Sequence, residues 1–376
     1  MKILIDLTSL ADNFSGIERY ALNISKQMII QDSKNNYILV FKNKVHQEFE
    51  KFKDRKNIEI RVITGKNRLI FNQIILPYKL YKIKSDKYLF LAFPSPILFF
   101  RKGIINAIHD LTCWDYPETM KFLSKWYFRI SILNAMKCSE RILTVSNFSK
   151  NRIINKFGRR KDIEIIYNGV SEVFENFKIN YKENDLCRLK YGIKEEYIMA
   201  LGTLEPRKNL ELLIKAFIEL KRENNINSKL VLVGRKGWKF NSIVEGIDEN
   251  IKKDIIFTGF IEDIHLPNIY FNADLFIFPS VYEGFGIPLI EAITIGTKVV
   301  MSDIEVFREI LGDYEFQFES NNLLDLKRVI LKAIRCRDNN EIYTLKEKIK
   351  CYKWEISAKK LIQLLKEGEV NEYTNR

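Results

Sequence analysis

The chain is short of the residues that build metal sites and disulfide frameworks. In 376 residues it has three histidines and five cysteines. The cysteines (113, 138, 187, 336 and 351) are odd in number and form no C-x-x-C pair. They read as reduced thiols of a cytosolic protein, and a zinc site or a stapled secreted fold is excluded. No D-x-D occurs, which argues against a carboxylate pair dedicated to a metal–nucleotide complex. There is no Walker A loop, and the order G-F-G-I-P-L at 284–289 fails the dinucleotide fingerprint at its last glycine. No apolar run reaches the roughly 18 residues that a spanning helix needs. The longest candidate, YLFLAFPSPILFF (88–100), is short and carries Pro94 and Pro96. KILIDL at the start reads as a strand, not as the core of a secretory leader.

What the chain has in plenty is apolar residues (46%) and positive charge (net +13). The charge is uneven. Residues 1–170 hold 30 Lys and Arg against 15 Asp and Glu, while the remainder holds 31 against 33. Such asymmetry implies either an anionic partner for the first half or a solvated basic surface. The length implies two domains.

Short apolar runs alternate with segments of helical period. YILVF (37–41), IEIRVI (58–63), YLFLAF (88–93), INAIHD (105–110), RILTVS (141–146) and IEIIYNG (163–169) read as strands, as does KILIDL. GIERYALNISKQMII (16–30) places Ile17, Tyr20, Ala21, Ile24 and Met28 on one helical face. Residues 171–195 are polar and read as a linker. The pattern then restarts with YIMALG (197–202), the helix LELLIKAFIELKR (210–222), KLVLVG (229–234), DIIFTG (254–259), DLFIFPS (274–280) and TKVVMSD (297–303). Strands this apolar belong to parallel sheets covered on both faces. The expected class is α/β, with two doubly wound Rossmann-like halves binding ligand at the carboxyl ends of strands.

The residues at those ends carry the chemistry. Thr203 to Asn209 follows the first strand of the second half and contains Arg207 and Lys208. Cations at a helix start oppose the helix dipole, which favours an anionic ligand such as a diphosphate. Arg235-Lys236-Gly237-Trp238 follows the next strand and reads as a second basic loop or as plain surface. Phe260-Ile261 offers an apolar wall for a base. After DLFIFPS comes SVYEGFGIPLIE (280–291). The amides of Gly284, Phe285 and Gly286 suit a phosphate or a sugar hydroxyl. Glu283 and Glu291 suit the vicinal hydroxyls of ribose or hexose. Cations at one loop and carboxylates at the next describe a nucleotide sugar. In the first half, Gly16 precedes a helix and allows close approach of a ligand. His109-Asp110 ends a strand, where the histidine is either catalytic, orienting or structural.

In this order the segments resemble the retaining GT-B glycosyltransferases (glycosyl transferases group 1), which include bacterial mannosyl- and rhamnosyltransferases of surface-polysaccharide assembly. The segments are SGIERYALNI, HDLTCWDYPE, VSNFSKNRI, IIYNGV, LGTLEPRKNLELLIKAF, LVLVGRKGW, FTGF, PSVYEGFGIPLIEA and WEISAKKLIQLL. The resemblance implies an acceptor-binding domain over 1–175, a nucleotide-sugar domain over 190–352, a cleft between them, and a segment 353–376 that returns to the first domain. It implies that Arg207 and Lys208 hold the donor diphosphate, Glu291 the ribose, and Glu283 with the 284–286 amides the donor sugar. His109 would stand near the anomeric centre and Gly16 under the phosphates. Thr297-Lys298 departs from the small-Pro turn expected after Gly296.

The implied reaction moves a hexose from a nucleotide diphosphate sugar, GDP-mannose by a slight preference, to a glycan-lipid acceptor in O-antigen or capsule assembly. No metal and no cofactor beyond the donor is expected. The basic first half, with RLIFNQIILPYKLYKIK inside segment 66–102, reads as a surface for an anionic membrane, on the inner face of the cytoplasmic membrane. A sugar-nucleotide epimerase or a non-catalytic nucleotide-sugar binding protein is the alternative. Nucleic acid is not an expected partner, because no recognised binding motif is present.

Overall fold

The computed structural model describes residues 1–10, 16–158, 162–202, 205–234, 248–336 and 340–373. Two compact units emerge: Met1–Gly169 together with the chain from Tyr352 onward, and Val170–Cys351.

In the first unit the described strands are β1 (Lys2–Asp6), β2 (Asn36–Lys42), β3 (Ile58–Ile63), β4 (Lys87–Phe90), β5 (Ile104–Ala107), β6 (Arg141–Thr144) and β7 (Ile163–Ile165). They form one sheet in the order β3-β2-β1-β4-β5-β6-β7, and each pairing is parallel. In the second unit β8 (Tyr197–Leu201), β9 (Lys229–Val233), β10 (Ile255–Gly259), β11 (Ala273–Phe278), β12 (Val299–Ser302) and β13 (Gln317–Phe318) take the order β10-β9-β8-β11-β12-β13, again all parallel. Every residue of β4, β5 and β12 is buried, as expected for strands covered on both faces. Each order reverses beside its first strand, β1/β4 in one unit and β8/β11 in the other. In doubly wound sheets ligands bind at such reversals.

The stretch 171–195 is a correction to the sequence reading. It is not an open linker, because it carries the helices Glu172–Glu175 and Tyr181–Lys190. Phe174 is buried edge-on to Tyr270, at 5.7 Å between centroids. The Asn184 and Asn272 amides exchange hydrogen bonds of 3.0 and 2.6 Å. The segment reads as polar because these few residues carry its contacts. β4 is also shorter than the run YLFLAF. It stops at Phe90, four residues before Pro94, which has no N–H to offer a sheet.

The closing helix Trp354–Tyr373 packs on the helix Gly16–Gln31 of the first unit. Ser357 Oγ donates to the Tyr167 carbonyl at 2.7 Å, and Lys360 Nζ to that of Ile165 at 2.8 Å. Gly169 makes the approach feasible. A Cβ there would stand 2.3 Å from the Trp354 nitrogen and 2.7 Å from the Lys353 carbonyl carbon. Trp354 is buried, its ring 6.0 Å from that of Tyr20.

Thr297-Lys298 also finds a physical role. Thr297 Oγ1 donates to the Tyr270 carbonyl at 2.7 Å. Lys298 Nζ caps the carboxyl end of the helix Leu323–Arg335, donating to the carbonyls of Ala333 (3.2 Å) and Cys336. Cations are favoured at such ends.

Candidate functional site

In the second unit the loops after β8 and β11 meet at the order reversal. The first forms a single 3-10 turn, Pro206–Lys208, and Asn209 then turns left-handed (φ 52°) into the helix Leu210–Arg222. Asparagine is among the few residues that take this conformation readily. The Val281 amide donates to the Arg207 carbonyl at 2.9 Å, which ties the two loops together.

The side chains close on Glu283. Lys208 Nζ donates to its Oε1 at 2.6 Å, Arg207 Nη1 to its Oε2 at 2.9 Å, and Ser280 Oγ to Oε1 at 2.8 Å. Arg207 Nη1 also reaches the Tyr282 carbonyl at 3.3 Å, and its Nε lies 3.3 Å from Glu205. Lys208 Nζ stands 5.4 Å from the centre of the Phe278 ring. The Ser280 carbonyl in turn accepts from Ser302 Oγ, which ties this loop to the end of β12.

Burial works against the charge on Glu283, but Lys208 and Arg207 outweigh it and hold its carboxyl down at about 2. Burial also works against the charge on Lys208 and pushes its ammonium below the usual lysine range. Glu283 opposes that shift and Arg207 adds to it. The site therefore sets two cations, Arg207 and Lys208, against the carboxylates of Glu283 and Glu205, with Lys208 strongly desolvated.

The rest of SVYEGFGIPLIE follows the same loop. Gly286 caps the helix Ile287–Ile295 with φ 157° and ψ 55°. A Cβ there would stand 3.1 Å from the buried Phe307 ring, so the turn needs glycine. Phe285 is buried, Gly284 lies beside Glu283, and Glu291 is buried one turn into the helix. Ile261 is buried after β10, with Phe260 partly exposed beside it. The loop Arg235-Lys236-Gly237-Trp238, like Thr203, lies outside the described residues.

His109 and Gly16 belong to the first unit. Gly16 is exposed and opens the helix Gly16–Gln31. His109 follows β5. Its Nε2 stands 2.9 Å from the Leu91 carbonyl, past the end of β4, and that oxygen can only accept. Nε2 therefore carries the proton and Nδ1 is left as the ring's acceptor. Burial depresses the imidazole pKa against the Leu91 bond and Asp110, so the ring is neutral at neutral pH. Tyr20 meets it edge-on at 4.9 Å.

The structure thus joins Arg207, Lys208 and Glu283 in one contact and places Gly284–Gly286 and Glu291 directly after it. Sequence reasoning assigned no role to Ser280, Ser302 or Phe278, nor to Leu91 and Tyr20 around His109. Ser280, Ser302, Phe278 and Leu91 carried a signal only as positions at strand ends, and Tyr20 only as part of the apolar face of the helix Gly16–Gln31.

Two doubly wound parallel units, with a charged site at the reversal of the second and a closing helix returned to the first, define the GT-B fold. A crystal structure of Anabaena HepE in complex with UDP and glucose superposes on 98% of this chain and 100% of its own, with a TM-score of 0.72 at 16% identity. Residues 187–350, within the second unit, match the family described as glycosyl transferases group 1. It is 28% identical to O-antigen chain mannosyltransferase B of Escherichia coli over 255 residues, 67% of each chain. It is 32% identical to O-antigen chain mannosyltransferase RfbU of Salmonella typhimurium over 207 residues, 54% of this chain and 53% of that one. The stretches shared with a serotype-specific mannosyltransferase of Escherichia coli span only 23% and 24% of that protein's length in two of its forms.

Proposed function

We propose that the protein transfers a hexose, mannose from GDP-mannose in the first instance, to a lipid-linked glycan of O-antigen or related surface-polysaccharide assembly, with retention at the anomeric carbon. The observation that carries the reading is the Arg207–Lys208–Glu283 cluster at the β8/β11 reversal. The likeness to two O-antigen mannosyltransferases supports the choice of sugar and pathway.

The bond between the anomeric carbon and the diphosphate oxygen breaks, and a bond to the acceptor hydroxyl forms on the same face. The hydroxyl proton passes to the departing diphosphate. Arg207 and Lys208 stabilise the charge that develops there, as preorganised cations do. They serve in place of a metal ion, so transfer proceeds in the presence of a chelator. Glu283 and the 284–286 amides hold the donor sugar, and Glu291 the ribose hydroxyls. The lipid carrier places the reaction on the cytoplasmic face of the membrane.

Thermal unfolding with GDP, UDP and dTDP tests the nucleotide. The cognate one stabilises by about 2.7 kcal/mol at a hundredfold excess over its dissociation constant. Equal shifts with all three would remove the preference for GDP. The anomeric configuration of the product, read by NMR, tests retention.

A further inference from the structure

In the first unit, residues 66–84, 96–102 and 122–137 contain ten lysines and arginines and neither aspartate nor glutamate. The structure brings these three segments together. Residues 68–81 run as one helical stretch with a π-helical turn at Phe71–Ile75. Pro77 explains the turn: it has no N–H to give the Gln73 carbonyl, and the Leu76 amide instead reaches back to Phe71. Gln73 lies in that turn and bridges the other two segments. Its Nε2 donates to Tyr127 Oη at 3.0 Å, and its Oε1 accepts from the Ile97 amide at 2.9 Å. Tyr81 Oη makes a second bridge, accepting from the Phe100 amide at 2.9 Å.

Around this junction the apolar side chains turn outward. Ile74, Leu98 and Trp126, each one residue from an atom of the bridge, are exposed. On the helix Phe122–Cys138, Phe122 (68% exposed), Trp126 and Ile130 follow at one-turn spacing, with Leu123 (81%) one turn before Trp126. Cations stand over the aromatic rings: Lys125 over Phe122 at 5.3 Å, Arg129 over Trp126 at 5.2 Å and Lys82 over Tyr78 at 4.3 Å. Outward apolar groups rimmed by cations, with no acid among them, match an anionic headgroup layer above acyl chains. A second copy of the same face would set like charges against each other.

We infer that this three-segment face, with the helix Phe122–Cys138 as its apolar wedge, docks the protein on an anionic phospholipid surface. The inference deepens the proposed function, since a lipid-borne acceptor is what such docking would serve. Its test needs neither donor nor acceptor, so the two readings fail separately.

The test is co-sedimentation of the full chain with vesicles of phosphatidylglycerol and phosphatidylethanolamine, beside vesicles of phosphatidylcholine alone. The unaltered protein binds the anionic vesicles, releases at high salt and leaves the neutral ones unbound. Leu123→Glu with Trp126→Glu weakens binding by about tenfold or more, the scale of two exposed side chains losing apolar burial. Lys125→Glu with Arg129→Glu weakens it by at least about twentyfold, since one cation at an anionic surface is worth about fivefold. Both variants keep the nucleotide-dependent thermal shift. No binding to anionic vesicles, or unchanged binding by both variants, overturns the inference. So does a dimer in sedimentation velocity that both variants dissociate, because the face would then belong to a second copy.

Discussion

The two units share a strand order and differ in what they hold where that order reverses. At β8/β11 the second unit sets two cations, Arg207 and Lys208, on one carboxylate, Glu283. The first unit has, around β4 and β5, a neutral histidine bonded to a backbone carbonyl and packed against an aromatic ring. Its charge instead lies on an outer face, interleaved with exposed apolar groups. The same winding order, over seven strands in one unit and six in the other, thus supports different chemistry, because the sheet sets where loops meet and the loops decide what meets there.

The sharpest way to break the comparison is to remove a cation from the second unit. Lys208→Met leaves Arg207 on Glu283 and should lower the transfer rate by about 10²–10³, the loss seen when one preorganised charge-stabilising group is deleted. The initial rate with saturating donor reads it. A rate within about threefold of the original would mean that the cluster is only structural.

The next effect is on acid stability. The Glu283 carboxyl is depressed in the folded chain, so its contribution is complete above the ordinary value of 4.5 and is lost as pH falls towards about 2. The span corresponds to about 3 kcal/mol. Glu283→Gln should therefore lower stability to urea at pH 7 by about that amount and flatten its decline below pH 4.5. An unchanged acid limb would show that other carboxylates govern it.

A third change tests the first unit without touching charge. Gly169→Ala drives a methyl group against the Trp354 backbone, and overpacking of this kind costs about 1–3 kcal/mol. Thermal unfolding should fall while the nucleotide-dependent stabilisation persists, since the second unit is unaltered. Loss of both together would mean that the units unfold and bind as one.

Much of the fold was legible because buried parallel strands advertise themselves. Runs such as KLVLV and ADLFIF are apolar on both faces, and LELLIKAFIELKR carries the helical period over the same residues, Leu210–Arg222, that form the helix. The site was legible as a set of strand-end loops. Harder to read were elements held by one or two contacts. β13 is two residues long, and the helices within 171–195 depend on Phe174 and on paired asparagines. The wedge helix Phe122–Cys138 was hidden for the opposite reason. Apolar residues occur around its circumference, and period alone does not say which of them a neighbour covers.

By itself, then, the sequence determined the two parallel sheets, the turns that end their strands and the residue types at those ends. Periodicity and backbone chemistry act locally, within one element and its cap. Tertiary structure alone decided that Arg207 and Lys208 clasp a carboxylate some 75 residues further on. It also decided that Gln73 draws three acid-free segments into one surface, and that Leu123 is left facing outward. Which groups meet across a fold depends on how elements stack, and that is set by the burial of all of them together.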